Sequence, residues 1–584
     1  MAYFFTPSHK LKSRKAMERG NTMNIEKDIP DYAMVPAKQI EEKKLEPITS
    51  DAIYTPIEVT DVLEGQKITF VIEEDILVPD TKPDLKDILI MEGSCYLTNR
   101  EISPSTKDDE YTTLSGELCL ESLYCPEKPS AICPIISIET RIPFKEQFKP
   151  GKAEKILASC YVEKIDYTIV NERKYRIKAK IVIETKEYHN ITLEIFDGLR
   201  SGKLHVLKQK TELMTLALRK KDLLSIKEYI SPINDTLPGQ LLYKDIKIIE
   251  NYKQITSDKI ILNGFVALNL LYSDKSPISD VGPAGNIHQL QEKVEFTQFI
   301  PLHSMSDISF CNLTFDHSGL RLKICQHEDG QDIIQLEGDI VTYVELYKKA
   351  EKEIIVDGYH PEKDFVFKTK ETNINVLVGS CNSDSSVREI FVPREFSSGE
   401  DGSKAGSVEL SSDVENILFT TGNIIKSDHH YEQGKIVTEG IILAKIVCQL
   451  AGDDCKVMTV KEEIPYRMVS PIGNLTGDEI IKHDVFLKDF WSEKINGKQL
   501  EFNASISAST EAIKKTSFVQ LTDPAFETGS SSDRISPMII YCCKQNDSLW
   551  HIAKKFKTSK ESIMEINNLD KEDLHESQKL LIMR

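Results

Sequence analysis

Thr113-Leu114-Ser115-Gly116-Glu117-Leu118-Cys119-Leu120 is a strand-like run built around a single glycine, and the chain contains two more of its kind. Ile261-Leu262-Asn263-Gly264-Phe265-Val266-Ala267-Leu268 is the second, and Val437-Thr438-Glu439-Gly440-Ile441-Ile442-Leu443-Ala444 the third. The glycines stand 148 and 176 residues apart, a domain spacing rather than a solenoid spacing. A glycine inside a strand suits a bulge or a close backbone approach. Downstream of each comes an aromatic-bearing strand, with Phe144, Phe296 and Tyr466 at offsets of 28, 32 and 26.

Upstream of each glycine a proline-marked turn leads to an Ile/Leu pair. The first is Val78-Pro79-Asp80-Thr81-Lys82-Pro83-Asp84-Leu85-Lys86-Asp87-Ile88-Leu89. The second keeps Ser231-Pro232 and Pro238-Gly239-Gln240-Leu241-Leu242. The third has Val392-Pro393, a polar surface loop over 397–412, and Asn416-Ile417-Leu418. Each segment closes on a β-rich stretch, such as the alternating Tyr175 to Ile183 and Leu500 to Ile506. Short strands punctuated by Gly, Pro, Asn and Asp predict a mainly β chain of three tandem sandwich- or barrel-like repeats, over 45–195, 200–350 and 372–520. Asp84 to Met91 is the clearest helix candidate inside them.

Whole-chain properties agree with a multidomain globular protein. At 584 residues about three to five domains are expected. A net charge of −19 argues against a general nucleic-acid surface, which needs a basic footprint. No window approaches the ~20 apolar residues of a transmembrane helix. Residues 1–44 read as a disordered basic tail whose apolar-then-basic order is the reverse of a secretory signal, and Met23 opens a more ordinary start. The 12 cysteines are scattered without a Cys-x-x-Cys pair, and His429-His430 has no cysteine at zinc spacing, so a reducing cytosol and no metal site are expected.

The C-terminal segment 538–584 has its own pattern. An apolar strand stands at each end, Met538 to Cys543 and Lys579 to Met583. Between them Leu549, Ile552, Ala553 and Phe556 fall on one helical face, with Asn546-Asp547-Ser548 as capping oxygens before it. Thr558-Ser559-Lys560-Glu561 reads as a capping box for a second helix with Ile563 and Ile566 on its buried side. Alternation lets at most one of Cys542 and Cys543 be buried. Trp550 lies about 100° from Leu549, where it is either a half-buried packing residue or an exposed partner anchor. Residues 521–537 read as a flexible tether with a reach of about 20–25 Å.

With Asn567-Asn568-Leu569 and Gln578-Lys579-Leu580 added, segment 538–584 resembles a LysM domain. The resemblance implies a βααβ fold and a groove for N-acetylglucosamine-containing glycans. Asn546, Asp547, Ser548 and Leu549, with Trp550 beside them, would form one side. Asn567, Asn568, Leu569 and Asp570 would form the other. The family's Gly before Asp is Asn546 here, a residue that tolerates the left-handed conformation. Its Pro-Gly before Gln is Glu576-Ser577, which adds a charge at the groove rim. The Val78–Leu89 motif, the glycine-centred strands and Ile142-Pro143-Phe144 resemble the SPOCS repeat of spore coat assembly proteins, best in the first repeat. Together they give the layout of SipL-type spore coat morphogenetic proteins.

No Walker A loop, Gly-x-Ser-x-Gly elbow, His-Glu-x-x-His or Gly-x-Gly-x-x-Gly is present. Cys325-Gln326-His327 is a chance adjacency, and Asp80 and Asp84 read as turn and helix-cap residues. The three repeats share no His, Cys or Ser at a matching position. No catalytic residue and no cofactor is therefore expected, and a scaffold is favoured over an enzyme. The resemblance implies an adaptor in the mother-cell cytosol at the forespore surface. Its LysM domain would dock onto the coat morphogenetic ATPase, and its repeats would engage other coat proteins. The alternative is a glycan-binding protein of the spore envelope. A wall hydrolase would need a catalytic domain that the sequence does not display.

Overall fold

The computed structural model describes residues 44–583, apart from 104–110, 128–134, 151–152, 154, 201–202, 276–285, 304, 327–329, 397–406, 411, 453–455, 474 and 529–537. The expected tail before residue 44, most of the polar loop 397–412 and the second half of the expected tether lie outside them.

A long strand, a three-stranded meander and a returning long strand follow one another three times. After β1 (Lys44–Pro47), the first unit comprises β2 (Ala52–Leu77), β3 (Leu85–Leu97), β4 (Glu101–Ile102), β5 (Thr112–Pro126), β6 (Ile136–Phe148), β7 (Lys155–Asn171) and β8 (Lys174–Leu199). The second comprises β9 (His205–Ile230), β10 (Pro238–Ile255), β11 (Lys259–Asp274), β12 (Ile287–Pro301), β13 (Phe310–Asp316), β14 (Arg321–Gln326) and β15 (Asp332–Tyr359). The third comprises β16 (Asp364–Phe391), β17 (Arg394–Phe396), β18 (Ser407–Glu409), β19 (Val414–Glu432), β20 (Lys435–Leu450), β21 (Val457–Ser470), β22 (Ile480–Asn496) and β23 (Gln499–Thr528). In each, the first long strand pairs antiparallel with the last: β2 with β8, β9 with β15, β16 with β23. The meanders are β3-β5-β6, β10-β11-β12 and β19-β20-β21. Alternation drives these strands. In β8, Tyr175, Ile177, Ala179, Ile181 and Ile183 are buried while Arg176, Lys178 and Lys180 are exposed.

The recurring glycines have one structural cause. Gly116 lies directly opposite Phe144, Gly264 opposite Phe296 and Gly440 opposite Tyr466. A Cβ on each would stand 2.5–2.8 Å from the ring's Cζ and 2.3–2.7 Å from a carbonyl oxygen of the other neighbouring strand. The aromatic ring lies over the bare backbone and fills the space the missing side chain leaves.

The expected helix at Asp84–Met91 is instead the start of β3. Leu85, Ile88, Leu89, Ile90 and Met91 are buried, a spacing that imitates a helical face. Register shifts at Leu85/Asp87 and Ile88/Ile90 produce it, because each bulge breaks the two-residue period. The same pair of shifts, three residues apart, recurs at Pro238/Gln240 and Leu241/Tyr243, and at Val414/Asn416 and Ile417/Phe419.

The three units close on one another. Five residues after each glycine, a side chain reaches the first meander strand of the next unit. Glu121 accepts from Lys244 N at 3.0 Å, Asn269 donates to Thr420 O at 3.2 Å, and Lys445 donates to Glu92 at 2.6 Å. One apolar cluster collects matching positions of all three units: Leu89, Leu242 and Leu418; Ile90, Tyr243 and Phe419; Leu123, Leu271 and Val447. A second joins the long strands through Val59, Tyr188, Leu213, Tyr347, Ile374 and Phe518. β1 pairs with β23, Lys44 opposite Thr528, and so ties the chain's first described strand to its third unit.

Leu521–Thr528, the first half of the expected tether, continue β23 and pair with β1 and β16, with Leu521 buried. The remaining elements are β24 (Met538–Cys542), α1 (Leu549–Phe556), α2 (Lys560–Asn567) and β25 (Lys579–Met583). β24 and β25 pair antiparallel, giving the expected βααβ order.

Candidate functional site

The two loops expected to form the groove meet over the core of the C-terminal domain, since Leu549 and Leu569 belong to one apolar cluster. On the first side, Asn546 adopts φ 69°, the left-handed conformation for which Asn substitutes for Gly. The Asp547 carboxylate accepts from Lys544 N at 2.8 Å and from the Tyr541 hydroxyl at 2.9 Å. These bonds, the backbone one foremost, hold its pKa below the ordinary Asp value. Ser548 caps α1 by accepting from His551 N at 3.2 Å, and its hydroxyl lies 2.8 Å from His551 Nδ1. Leu549 is core.

On the second side, Asn567 is fully engaged. Its amide nitrogen donates to Ile563 O at 2.8 Å and Leu581 O at 2.7 Å, and its oxygen accepts from Leu581 N at 2.7 Å, fastening α2 to β25. Asn568 ends α2 at φ 50°, another left-handed position. Leu569 packs into the cluster, while Asn546, Asn568 and Asp570 are exposed. Eight of the nine expected residues thus divide, and Trp550 stands apart from them. Asp547, Ser548 and Asn567 build the loops, Leu549 and Leu569 support them, and Asn546, Asn568 and Asp570 offer free surfaces. The cap of α2 is Ser559, accepting from Ser562 N, the second residue of the expected box rather than its first. Thr558 donates instead to Met583 O at 3.0 Å. Where the family has Gly, Ser577 takes φ 67°, and its N–H donates to Cys543 O at 2.9 Å, so the turn keeps its form. Cys542 is exposed and Cys543 buried, as alternation requires.

Trp550 lies apart from these loops. It is 6% exposed and faces the three-unit body. Its indole N–H donates to Asp357 at 2.8 Å and its ring packs 5.1 Å from that of Tyr359. Lys554 reaches the same Asp357 at 2.6 Å, Lys557 reaches Asp364 at 2.5 Å, and the Tyr359 hydroxyl donates to Thr558 O at 2.5 Å. Burial, aided by nearby Glu561, pushes the Tyr359 hydroxyl up to about 12, so it stays a donor at neutral pH. Helix α1 therefore presents one face to its own core and another to the junction of units two and three. Nothing in the local sequence signals Asp357, Tyr359 or Asp364, which lie about 190 residues upstream.

Asp80 and Asp84 cap no helix. Both face Arg173, at 3.3 and 3.0 Å, and its guanidinium also donates to Val78 O and Lys82 O, so the proline-rich loop is wound around one cation. Asp84, Glu127 and Glu172 approach one another within 4.8 Å, but Arg173 already balances Asp84. No helix among the described residues is long and apolar enough to cross a membrane.

Comparison with protein-family models matches the LysM domain over residues 543–582 and the SipL SPOCS domain over residues 239–321. The SPOCS match covers β10 to the start of β14, that is, the meander and the next strand of the second unit. No curated protein and no solved structure matches.

Proposed function

We propose, from a chain that carries a SipL-type SPOCS domain and a C-terminal LysM domain, that the protein is a non-enzymatic adaptor of spore coat assembly. In this reading the three units are three copies of one module, over the ranges their strands span. The LysM groove docks to a protein partner, the coat morphogenetic ATPase at the forespore surface, and the modules engage further coat proteins. The observation that carries the reading is the division of labour in the LysM domain. Trp550, Lys554 and Lys557 hold it on the body, while Asn546, Asn568 and Asp570 remain exposed. A module attached in this way offers its groove to something outside the chain.

Glycan recognition is the second reading, favoured by the LysM match and by the preserved turns at Asn546 and Ser577. A single LysM copy lacks the avidity of tandem copies. Co-sedimentation of the full chain with insoluble peptidoglycan separates the two. The adaptor reading expects the chain to stay in the supernatant. Sedimentation that is lost on Asn568→Gly with Asp570→Ala would establish the glycan reading. The Gly substitution keeps the left-handed backbone and removes only the amide.

A further inference from the structure

Two of the chain's 12 cysteines meet inside the first unit, although they stand on strands of different sheets. Cys95 lies on β3 of the meander and Cys160 on β7 of the long-strand sheet. Three contacts along one seam bring these strands together. The Tyr167 hydroxyl donates to Ile88 O at 3.1 Å. A Cβ on Gly93 would stand 2.6 Å from Ile165 Cδ1, so the sheets approach closely there. At the next step the Cys95 and Cys160 thiols are hydrogen-bonded to each other. Alternation turns both inward: Gly93, Cys95 and Leu97 follow at two-residue steps on β3, and Ile156, Ala158, Cys160 and Val162 on β7. The bulge at Val162/Lys164 keeps Ile165 and Tyr167 on the same inner face. Leu118 opposite Cys95 and Ile183 opposite Cys160 are both fully buried, and the two cysteines belong to one apolar core.

The two thiols are not equivalent. Cys95 is buried, and the hydrogen bond it gives to Cys160, together with burial, pushes its pKa well above the ordinary thiol range. Cys160 is half-buried and receives that bond, which pulls its pKa down; the nearby Arg100 guanidinium acts in the same direction, against burial and Asp316. Arg100 is fixed beside it, since Nε donates to Ala158 O at 3.4 Å and Nη1 to Phe315 O at 3.2 Å. Cys160 is therefore the thiol that ionises first, and Cys95 stands in contact with it as a resolving partner. Side chains that point toward each other from facing strands meet the geometric condition for a disulfide.

We propose that Cys95 and Cys160 are a redox-active dithiol that hydrogen peroxide converts to an intramolecular disulfide, stapling the meander of the first unit to its long-strand sheet. The Cys160 thiolate attacks one peroxide oxygen and the O–O bond breaks. Cys160 becomes a sulfenic acid, and the departing hydroxide takes up the proton that Cys160 released. The Cys95 sulfur then attacks the Cys160 sulfur, the S–O bond breaks, and the hydroxide leaves with the Cys95 proton as a second water. The dithiol loses two electrons and one peroxide is reduced to two waters. The new bond restrains β3, the strand that carries Leu89 and Ile90 into the cluster shared by the three units and Glu92 to Lys445. Oxidation would thus lock the first unit's part of the closed body, independently of what the LysM groove binds.

The test treats the reduced full chain with hydrogen peroxide, blocks remaining thiols with iodoacetamide under denaturing conditions and digests it without reductant. Mass spectrometry should find the Cys95 and Cys160 peptides linked, with two of the 12 thiols lost and both recovered on adding dithiothreitol. The oxidised chain should unfold at a higher urea midpoint than the reduced chain, because the bond restrains the unfolded state. Neither readout depends on the folding of a variant. Cys95→Ala removes the resolving thiol, so dimedone should label Cys160 as a sulfenic acid in that variant and not in the wild type. Peroxide that leaves Cys160 reduced in the wild type, or that links it to Cys119 or to a second chain instead of Cys95, would overturn the proposal.

Discussion

At the scale of single residues, the recurring glycine is a packing device. Gly440 has Lys426 O and the Tyr466 ring where a side chain would be, at 2.3 and 2.5 Å. Gly440→Ala should therefore destabilise the chain by about 1–3 kcal/mol, the usual cost of overpacking, as read from the urea midpoint. An unchanged midpoint would mean that the ring moves freely aside. The glycine-to-aromatic offsets were legible in the sequence because the pair lies on two consecutive strands of one meander. The tryptophans were not. Trp550 was either a half-buried packing residue or an exposed anchor, and it is buried against Asp357 and Tyr359, while Trp491 stands in the open. Both outcomes depend on contacts made far along the chain, which local periodicity does not carry.

At the scale of elements, β3 shows how a strand can read as a helix. Two bulges within four residues bury Leu85, Ile88 and Met91 in the unit's own core and Leu89 and Ile90 in the cluster shared by the three units. Pattern reasoning assumes an unbroken period and fails where the ladder is broken by design. The LysM helices were legible because their caps and apolar faces are local, with an error of one residue at Ser559. β22 carries a pH-dependent element. His483 is enclosed between the hydroxyls of Thr438 and Thr510, at 2.7 and 2.8 Å, with the His429 ring 5.5 Å away. Burial first, and His429 second, push its pKa down to about 4. The unfolded chain, with an ordinary His near 6.5, takes up this proton before the folded chain does. Stability from His483 is thus complete above about pH 6.5 and is lost as pH falls toward 4. Glu121, which burial pushes up to about 7, acts in the opposite direction: its contribution is complete below the ordinary Glu value and fades as pH rises through 7. Substituting His483→Gln should flatten the fall in urea midpoint between pH 6.5 and 4.5. A slope equal to the wild type's would place the titration elsewhere.

At the scale of the whole molecule, the closure of three units was beyond the sequence's reach. Repeats announce themselves through spacing, but contacts such as Glu121–Lys244, Asn269–Thr420 and Lys445–Glu92 join residues more than 100 positions apart. The same holds for the seat of the LysM domain. Asp357 receives both the Trp550 indole and the Lys554 ammonium, so Asp357→Ala removes two anchors at once. Release of the domain should expose Trp550 and shift tryptophan emission to the red, with Trp491 as a constant background. Unchanged emission would mean that Tyr359 and Lys557 suffice to hold it.

The account rests on a LysM groove that faces a protein partner while the rest of the domain is held by its own chain. Capture from a sporulating-cell lysate by the full chain, compared with the Asn568→Gly, Asp570→Ala variant and identified by mass spectrometry, tests this most directly. The account predicts that the wild-type chain retains the coat morphogenetic ATPase and that the variant loses it by about tenfold or more. Equal capture by both chains, or capture of peptidoglycan fragments without the ATPase, would contradict it.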